Sequence, residues 1–224
     1  MQDFVIIVAG GVGRRMGTAL PKQFLEVEGR PVIHRTIDNF TKYNPSVKVV
    51  VVLHPEAVEI WQALCDHFPT SCAVEVALGG TERFYSVRNG LEKIKGDTGV
   101  VAVHDAVRPF ADQGCIERCF STAREFGNAI PVIPVIESLR EISGDASQAV
   151  DRSDYRLVQT PQCFDVKLLK DAYAQEFDPS FTDDASVVER LGVKINLVEG
   201  NRENIKLTTK EDLSLASSIA QSWD

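Results

Sequence analysis

The sequence predicts an α/β protein, with a mostly parallel β-sheet lying between two layers of helix. Two observations lead there. Short runs rich in β-branched residues alternate with longer stretches of helical periodicity. Several of the short runs are also nearly continuous in apolar side chains, as expected of central strands covered on both faces. The 224 residues, 44% hydrophobic and 25% charged, suit one globular domain that buries a sizeable core, so residues 1–224 are expected to form a single domain.

The first strand is expected at residues 4–9, Phe-Val-Ile-Ile-Val-Ala. That run is too short to span a membrane and lacks the basic region and cleavage site of a signal peptide. It leads into Ala9-Gly10-Gly11-Val12-Gly13-Arg14-Arg15-Met16-Gly17 and then Pro21-Lys22-Gln23. The glycines let the backbone curl so that its N–H groups face an anion, and Arg15 and Lys22 add positive charge at the same place. The segment therefore reads as a phosphate cradle. A P-loop would close on Gly-Lys-Ser/Thr, which is absent, and a dinucleotide fingerprint would need a third glycine where Met16 stands.

Residues 47–53 are expected as a central strand and 55–68 as a helix. The junction Leu53-His54-Pro55 lacks the acidic residue that a dinucleotide site wants. The third strand, 73–77, is followed by Gly79-Gly80-Thr81-Glu82-Arg83 and a helix over 82–94; taken alone, that loop carries no more than a turn and a helix start. The fourth strand, 99–103, runs into His104-Asp105-Ala106-Val107-Arg108-Pro109, a carboxylate and a guanidinium where a strand ends. The pair reads either as a structural ion pair or as part of a site, and His104 by itself as a structural histidine. A helix is expected over 113–126 and a strand over 129–135.

Residues 136–159 break the rhythm, being polar, charged and interrupted by Gly144. A structureless loop of that length is unusual in a compact domain, so a projecting β-arm at about 136–158 is expected, with a partner to grip. Beyond it come Asp151-Arg152, Gln159-Thr160-Pro161-Gln162, a helix over 166–176 and Thr182-Asp183-Asp184-Ala185-Ser186. Thr182 is read as the N-cap of a helix to about residue 191. A strand over 193–198, the segment Asn204-Ile205-Lys206-Leu207-Thr208 and a helix over 210–222 complete the chain. Thr209 is read as the cap of that last helix, with Glu211 and Asp212 in its first turn.

A net charge of −8 argues against a broad nucleic-acid surface while leaving room for a local basic pocket. Nothing in the sequence anchors the chain to a membrane. The five cysteines are odd in number and lack zinc-ligand spacing, so they read as reduced thiols of a cytoplasmic protein.

Taken together, the glycine-rich loop with VHDAVRP, QTPQ, TDDAS and NIKLT, in this order across nearly the whole chain, resembles the 2-C-methyl-D-erythritol 4-phosphate cytidylyltransferase family. The resemblance implies a three-layer Rossmann-like nucleotidyltransferase fold and transfer of CMP from CTP to a polyol phosphate. Ribitol-5-phosphate cytidylyltransferase, a relative sharing most of these motifs, is the alternative. A non-catalytic nucleotide-binding protein is a further one, although such a protein would be free to lose Arg15, Lys22, Arg152 or Lys206 and all four are present.

By that resemblance Arg15 and Lys22 stabilise the transition state, Lys206 sits near the α-phosphate and Arg152 grips the acceptor's phosphate. Ala9, Gly10, Gly11 and Gly13 cradle the triphosphate. Gly79, Gly80, Ser86 and Ala106 line the cytosine and ribose pocket. Asp105, Arg108, Thr160 and Thr182 orient the acceptor. Glu137-Ser138-Leu139-Arg140 stands where the family commonly carries Asp-Thr-Met/Ile-Lys, so Ser138 takes the place of the threonine that contacts substrate. The resemblance further implies Mg²⁺ with CTP, no metal ligand being assigned, and a homodimer in which the arm completes the neighbour's site.

Overall fold

Alternation along the first apolar run divides its side chains between two cores: Val5, Ile7 and Ala9 enter one, Ile6 the other. This run is β1 (Asp3–Ala9). A computed structural model describes residues 1–11 and 20–223. In it β1 is followed by β2 (Glu26–Val27), β3 (Arg30–Pro31), α1 (Val32–Tyr43), β4 (Lys48–Leu53), α2 (Val58–His67), β5 (Val74–Leu78), α3 (Arg83–Leu91) and β6 (Val100–Asp105). The second half holds α4 (Gln113–Phe126), β7 (Asn128–Pro134), β8 (Leu139–Ser143), β9 (Ala146–Val150), β10 (Arg156–Val158) and β11 (Gln162–Asp165). After these come α5 (Val166–Tyr173), α6 (Asp184–Glu189), β12 (Leu197–Glu199) and α7 (Lys210–Gln221).

The main sheet runs β10-β7-β11-β6-β1-β4-β5, with β12 added alongside β7. β1, β4, β5 and β6 are mutually parallel, with Val8 of β1 opposite Asp105 of β6 and Ala9 opposite Leu53 of β4. β12 lies parallel to β7, whereas β10 and β11 run antiparallel to their neighbours. One face carries Ile33, Ile37 and Phe40 of α1, Trp61 of α2 and Ile116 and Phe120 of α4. The other carries Phe84, Val87 and Leu91 of α3, Leu169 and Tyr173 of α5, and Val187 and Val188 of α6. α3 lies so close to the sheet that a Cβ on Gly90 would meet Ile6 Cγ2 at 2.8 Å, a position only glycine can occupy without displacing the strand side chain.

The mostly parallel α/β class is thus borne out, with corrections in detail. α1 is not among the expected elements, although Val32, Ile33, Thr36, Ile37 and Phe40 form a buried helical stripe behind Pro31. β10 and β11 are further additions. Residues 55–57 form a separate 3₁₀ turn before α2, and the strand expected over 193–198 is only β12. α6 is capped by Asp183 rather than Thr182, because the Asp183 carboxylate accepts the Ser186 N–H while Ser186 Oγ accepts the Asp183 N–H. Thr209 does cap α7, in a box with Asp212. Residues 136–159 contain a separate hairpin of β8 and β9, turned at Gly144 with φ +58, and most of its side chains are exposed. Among the described residues no helix is long and apolar enough to cross a membrane.

Candidate active site

Parallel strands of an open sheet end at one edge, and ligands bind beyond that edge. Here the loops after β1, β5 and β6 meet the 3₁₀ turn Lys22–Phe24 and the segment around Lys206. Between them lies a cleft of about 300 Å³ lined by Ala9, Gly10, Gly11, Lys22, Gly80, Ser86, Asp105, Ala106 and Lys206. Nine of the residues singled out from sequence therefore come together in one place. Arg15 and Gly13 lie outside the described residues.

Asp105 is the electrostatic centre of this edge. Its carboxylate lies 3.0 Å from Lys206 Nζ and 3.2 Å from Arg108 Nε. Burial alone would raise its pKa, but Lys206, Arg83 and Arg108 together outweigh burial and hold it well below the usual carboxylate range. Arg108 also donates to the Asn204 carbonyl at 2.8 Å, and Leu207 N–H bonds the Val107 carbonyl at 2.9 Å. These bonds clamp the segment bearing Lys206 onto the end of β6.

Thr160 and His104 lie behind Asp105. Arg108 offers His104 Nε2 only a carbonyl, 2.9 Å away, so that nitrogen carries the proton and Nδ1 must accept. Thr160 therefore donates its hydroxyl proton to Nδ1 at 3.0 Å, while its oxygen accepts the Asp105 N–H at 3.2 Å. Burial lowers the His104 pKa to about 4, and the imidazole stays neutral at physiological pH. His104 is structural, in line with its sequence context. The Thr160 hydroxyl, expected at the acceptor, is turned instead into this buried chain.

The loop after β5 is pinned by Ser86, whose hydroxyl accepts the Gly80 N–H and donates to the Glu82 carbonyl, both at 3.1 Å. Gly79 bonds back to the Leu53 carbonyl at 2.7 Å and does not line the cleft. A Cβ on Gly80 would overlap that of Tyr85, so the turn requires glycine. Thr182 lies on the exposed approach to α6, its N–H bonded to Ser186 Oγ at 3.0 Å. Ser138 and Arg152 are exposed at the base of the β8–β9 hairpin, where Arg152 hydrogen-bonds the Ile136 carbonyl. Neither lines the cleft of its own chain.

Two cleft residues escaped the sequence reading. Arg83 makes a bidentate pair with fully buried Asp184, at 2.9 and 2.7 Å, and Tyr173 Oη donates to the same carboxylate at 2.6 Å. Burial opposes the charge on Arg83, yet Asp184 more than offsets it and raises the guanidinium's pKa above its ordinary value. Gln23 is buried beneath the glycine loop and donates to two of its carbonyls. Each adjoins a motif already noted, Arg83 in Thr81-Glu82-Arg83 and Gln23 beside Lys22, so the signal available was proximity alone.

Comparison with known proteins gives a consistent result. The family described as IspD, 2-C-methyl-D-erythritol 4-phosphate cytidylyltransferase, matches residues 4–222. The chain is 50% identical over 219 residues to the 2-C-methyl-D-erythritol 4-phosphate cytidylyltransferase of Bacteroides thetaiotaomicron, covering 98% of this chain and 100% of that one. It is 45% identical over 220 residues to the protein of the same description from Porphyromonas gingivalis, covering 98% of each. Among solved structures, 4-diphosphocytidyl-2C-methyl-D-erythritol synthase from Anaerococcus prevotii matches with a TM-score of 0.83 at 28% identity, over 98% of this chain and 96% of that one. The cytidylyltransferase from Thermus thermophilus matches with a TM-score of 0.77 at 34% identity, over 97% of this chain and 98% of that one.

Proposed function

The chain belongs to the 2-C-methyl-D-erythritol 4-phosphate cytidylyltransferase family, and from that premise we propose how its cleft carries out the reaction. It is a CTP-dependent nucleotidyltransferase of isoprenoid biosynthesis that transfers CMP to 2-C-methyl-D-erythritol 4-phosphate and releases pyrophosphate. The acceptor's phosphate oxygen attacks the α-phosphorus of CTP in line, and the bond to the bridging oxygen of the pyrophosphate breaks. Because the nucleophile is already an anion, no general base is required. The task left to the protein is to bring two anions together and to neutralise charge at the α-phosphoryl group.

The observation that carries this reading is the convergence of Lys22 and Lys206 on a glycine-lined cleft at the ends of β1 and β6 and the start of α3. Ala9, Gly10 and Gly11 receive the triphosphate, with Arg15 and Gly13 of the same loop, and Lys22 and Arg15 stabilise the transition state. Gly80, Ser86 and Ala106 leave room for the cytosine and ribose, with Gly79 holding the turn behind them. Lys206, kept beside Asp105, stands at the α-phosphate. Asp105, Arg108 and Thr182 orient the acceptor, and Thr160 acts through the Asp105 backbone.

The residues present fit a divalent cation held chiefly by phosphate oxygens and water: Asp105 supplies an ionised carboxylate at the cleft, and no all-protein cage is needed. Such an ion, Mg²⁺ with CTP, would supply charge neutralisation at the phosphates. The exposed positions of Ser138 and Arg152 support a homodimer in which the β8–β9 arm, residues 136–158, brings Arg152 to the acceptor's phosphate and Ser138 to the acceptor in a second copy's cleft. The remainder of residues 1–224 forms one domain in this reading. Five unpaired cysteines support a reducing, cytoplasmic location.

The test is pyrophosphate release from CTP and Mg²⁺ with 2-C-methyl-D-erythritol 4-phosphate and D-ribitol 5-phosphate offered in parallel. Preference for the first is expected. Equal or greater turnover of ribitol phosphate would move the chain to polyol-phosphate activation with the chemistry unchanged.

A further inference from the structure

An anion cradle made of backbone has a built-in difficulty. Every peptide unit that offers an N–H also carries a carbonyl oxygen with partial negative charge on its opposite edge. Unless those oxygens are turned aside and satisfied, they repel the phosphates that the N–H groups attract. In this protein the Gln23 carboxamide is placed to do both. It is 2% exposed, and its Nε2 donates to the Ala9 carbonyl at 2.9 Å and to the Gly11 carbonyl at 3.2 Å. Because the Ala9–Gly10 peptide is planar, holding its oxygen toward Gln23 sends the Gly10 N–H the other way.

Gln23 also belongs to the 3₁₀ turn that carries Lys22. One side chain therefore fastens the glycine loop to the turn bearing the neighbouring lysine. A lysine or arginine at this position could make the same two bonds, but would place a buried positive charge beneath the loop. The carboxamide satisfies both carbonyls and stays neutral. A carboxylate of the same shape would be an acceptor facing two acceptors.

We propose that Gln23 is a positioning residue for cytidylyl transfer, holding the Ala9 and Gly11 carbonyls away from the triphosphate so that the loop presents its amides to the β- and γ-phosphates. The inference rests on the reading that the triphosphate occupies the Ala9–Gly11 loop. Gln23 acts on the pyrophosphate end of CTP and has no part in holding the acceptor. Its loss is therefore expected in the affinities for CTP and for the product pyrophosphate, and not in the affinity for the polyol phosphate.

The experiment compares Gln23→Met, Gln23→Glu and Lys22→Ala by steady-state kinetics, with thermal melting to confirm folding. Gln23→Met is expected to raise KM for CTP and Ki for pyrophosphate together, each about 10-fold as two neutral hydrogen bonds are lost, with the acceptor KM unchanged. Gln23→Glu is expected to be worse near pH 8 and to recover as pH falls, since a protonated carboxyl can again donate one hydrogen bond; wild type should show no such recovery. Folded variants with unchanged KM for CTP and Ki for pyrophosphate, alongside an impaired Lys22→Ala, would overturn the role of Gln23 and leave the cleft assignment standing. Should Lys22→Ala be unimpaired as well, the cleft assignment itself fails. Equal rises in the CTP and acceptor KM values would show that Gln23 only supports the fold, and would also overturn the proposal.

Discussion

Two buried histidines report on pH through opposite qualities of their surroundings. His104 is fully hydrogen-bonded, whereas His34 is packed among rings, 5.4 Å from Trp61 and 6.3 Å from Phe68. Burial lowers both pKa values, His104 to about 4. The unfolded chain therefore binds protons that the folded chain refuses, and stability is full above about pH 6.5 and falls as the pH drops toward 4. His104 alone is expected to withdraw roughly 3 kcal/mol across that window. Urea midpoints at pH 7.5, 5.5 and 4.5 check this, and a midpoint flat across them would contradict it. In the cleft, Lys22→Ala is expected to lower kcat far more than it raises KM for CTP, because the lysine's charge matters most when the α-phosphoryl group is crowded with negative oxygen. A loss confined to KM would place the lysine in ground-state binding instead.

At the scale of elements, the β8–β9 hairpin forms its own two-stranded sheet, so cutting it back should spare the rest of the fold. Replacing residues 139–150 with a short glycine linker is expected to leave the melting transition cooperative and to convert the proposed dimer to monomer by sedimentation, with loss of acceptor turnover. A dimer surviving that deletion would rule out the arm as the interface. Thr209→Ala should cost about 1 kcal/mol by unfastening the N-terminus of α7, read as a lowered urea midpoint. What could be read from sequence follows the same physics. β4 and α4 were plain because continuous burial and a full helical stripe each leave a long signal. β11 is four residues long, and its antiparallel place between β6 and β7 is decided by tertiary pairing that no local pattern records. The cap of α6 moved by one residue because Thr182 and Asp183 are both good caps, and Ser186 completes its reciprocal box with Asp183. Within the site, chemistry written in charge was legible, as with Lys22, Asp105 and Lys206. The neutral support beneath it, Gln23, was not, because a glutamine carries no signal until its partners are known.

Across the whole molecule, a net charge of −8 surrounds a cleft where Lys22 and Lys206 face a polyanionic substrate. Capture of CTP should depend on that local field, so KM for CTP is expected to rise about 3- to 10-fold between low and high salt while kcat changes little. A salt-independent KM would mean that contact chemistry, and not the field, governs capture. Connectivity has a further bearing, on when the protein becomes active. The sheet is complete once β12 ends at Glu199, yet Lys206 and the Asn204 carbonyl that grips Arg108 come later in the chain. A ribosome that has delivered every strand has still not delivered the site. On the role proposed for Lys206, the growing chain can assemble its sheet while unable to turn over CTP, and activity is expected only once the Asn201–Leu207 stretch emerges and docks against the loop that follows β6.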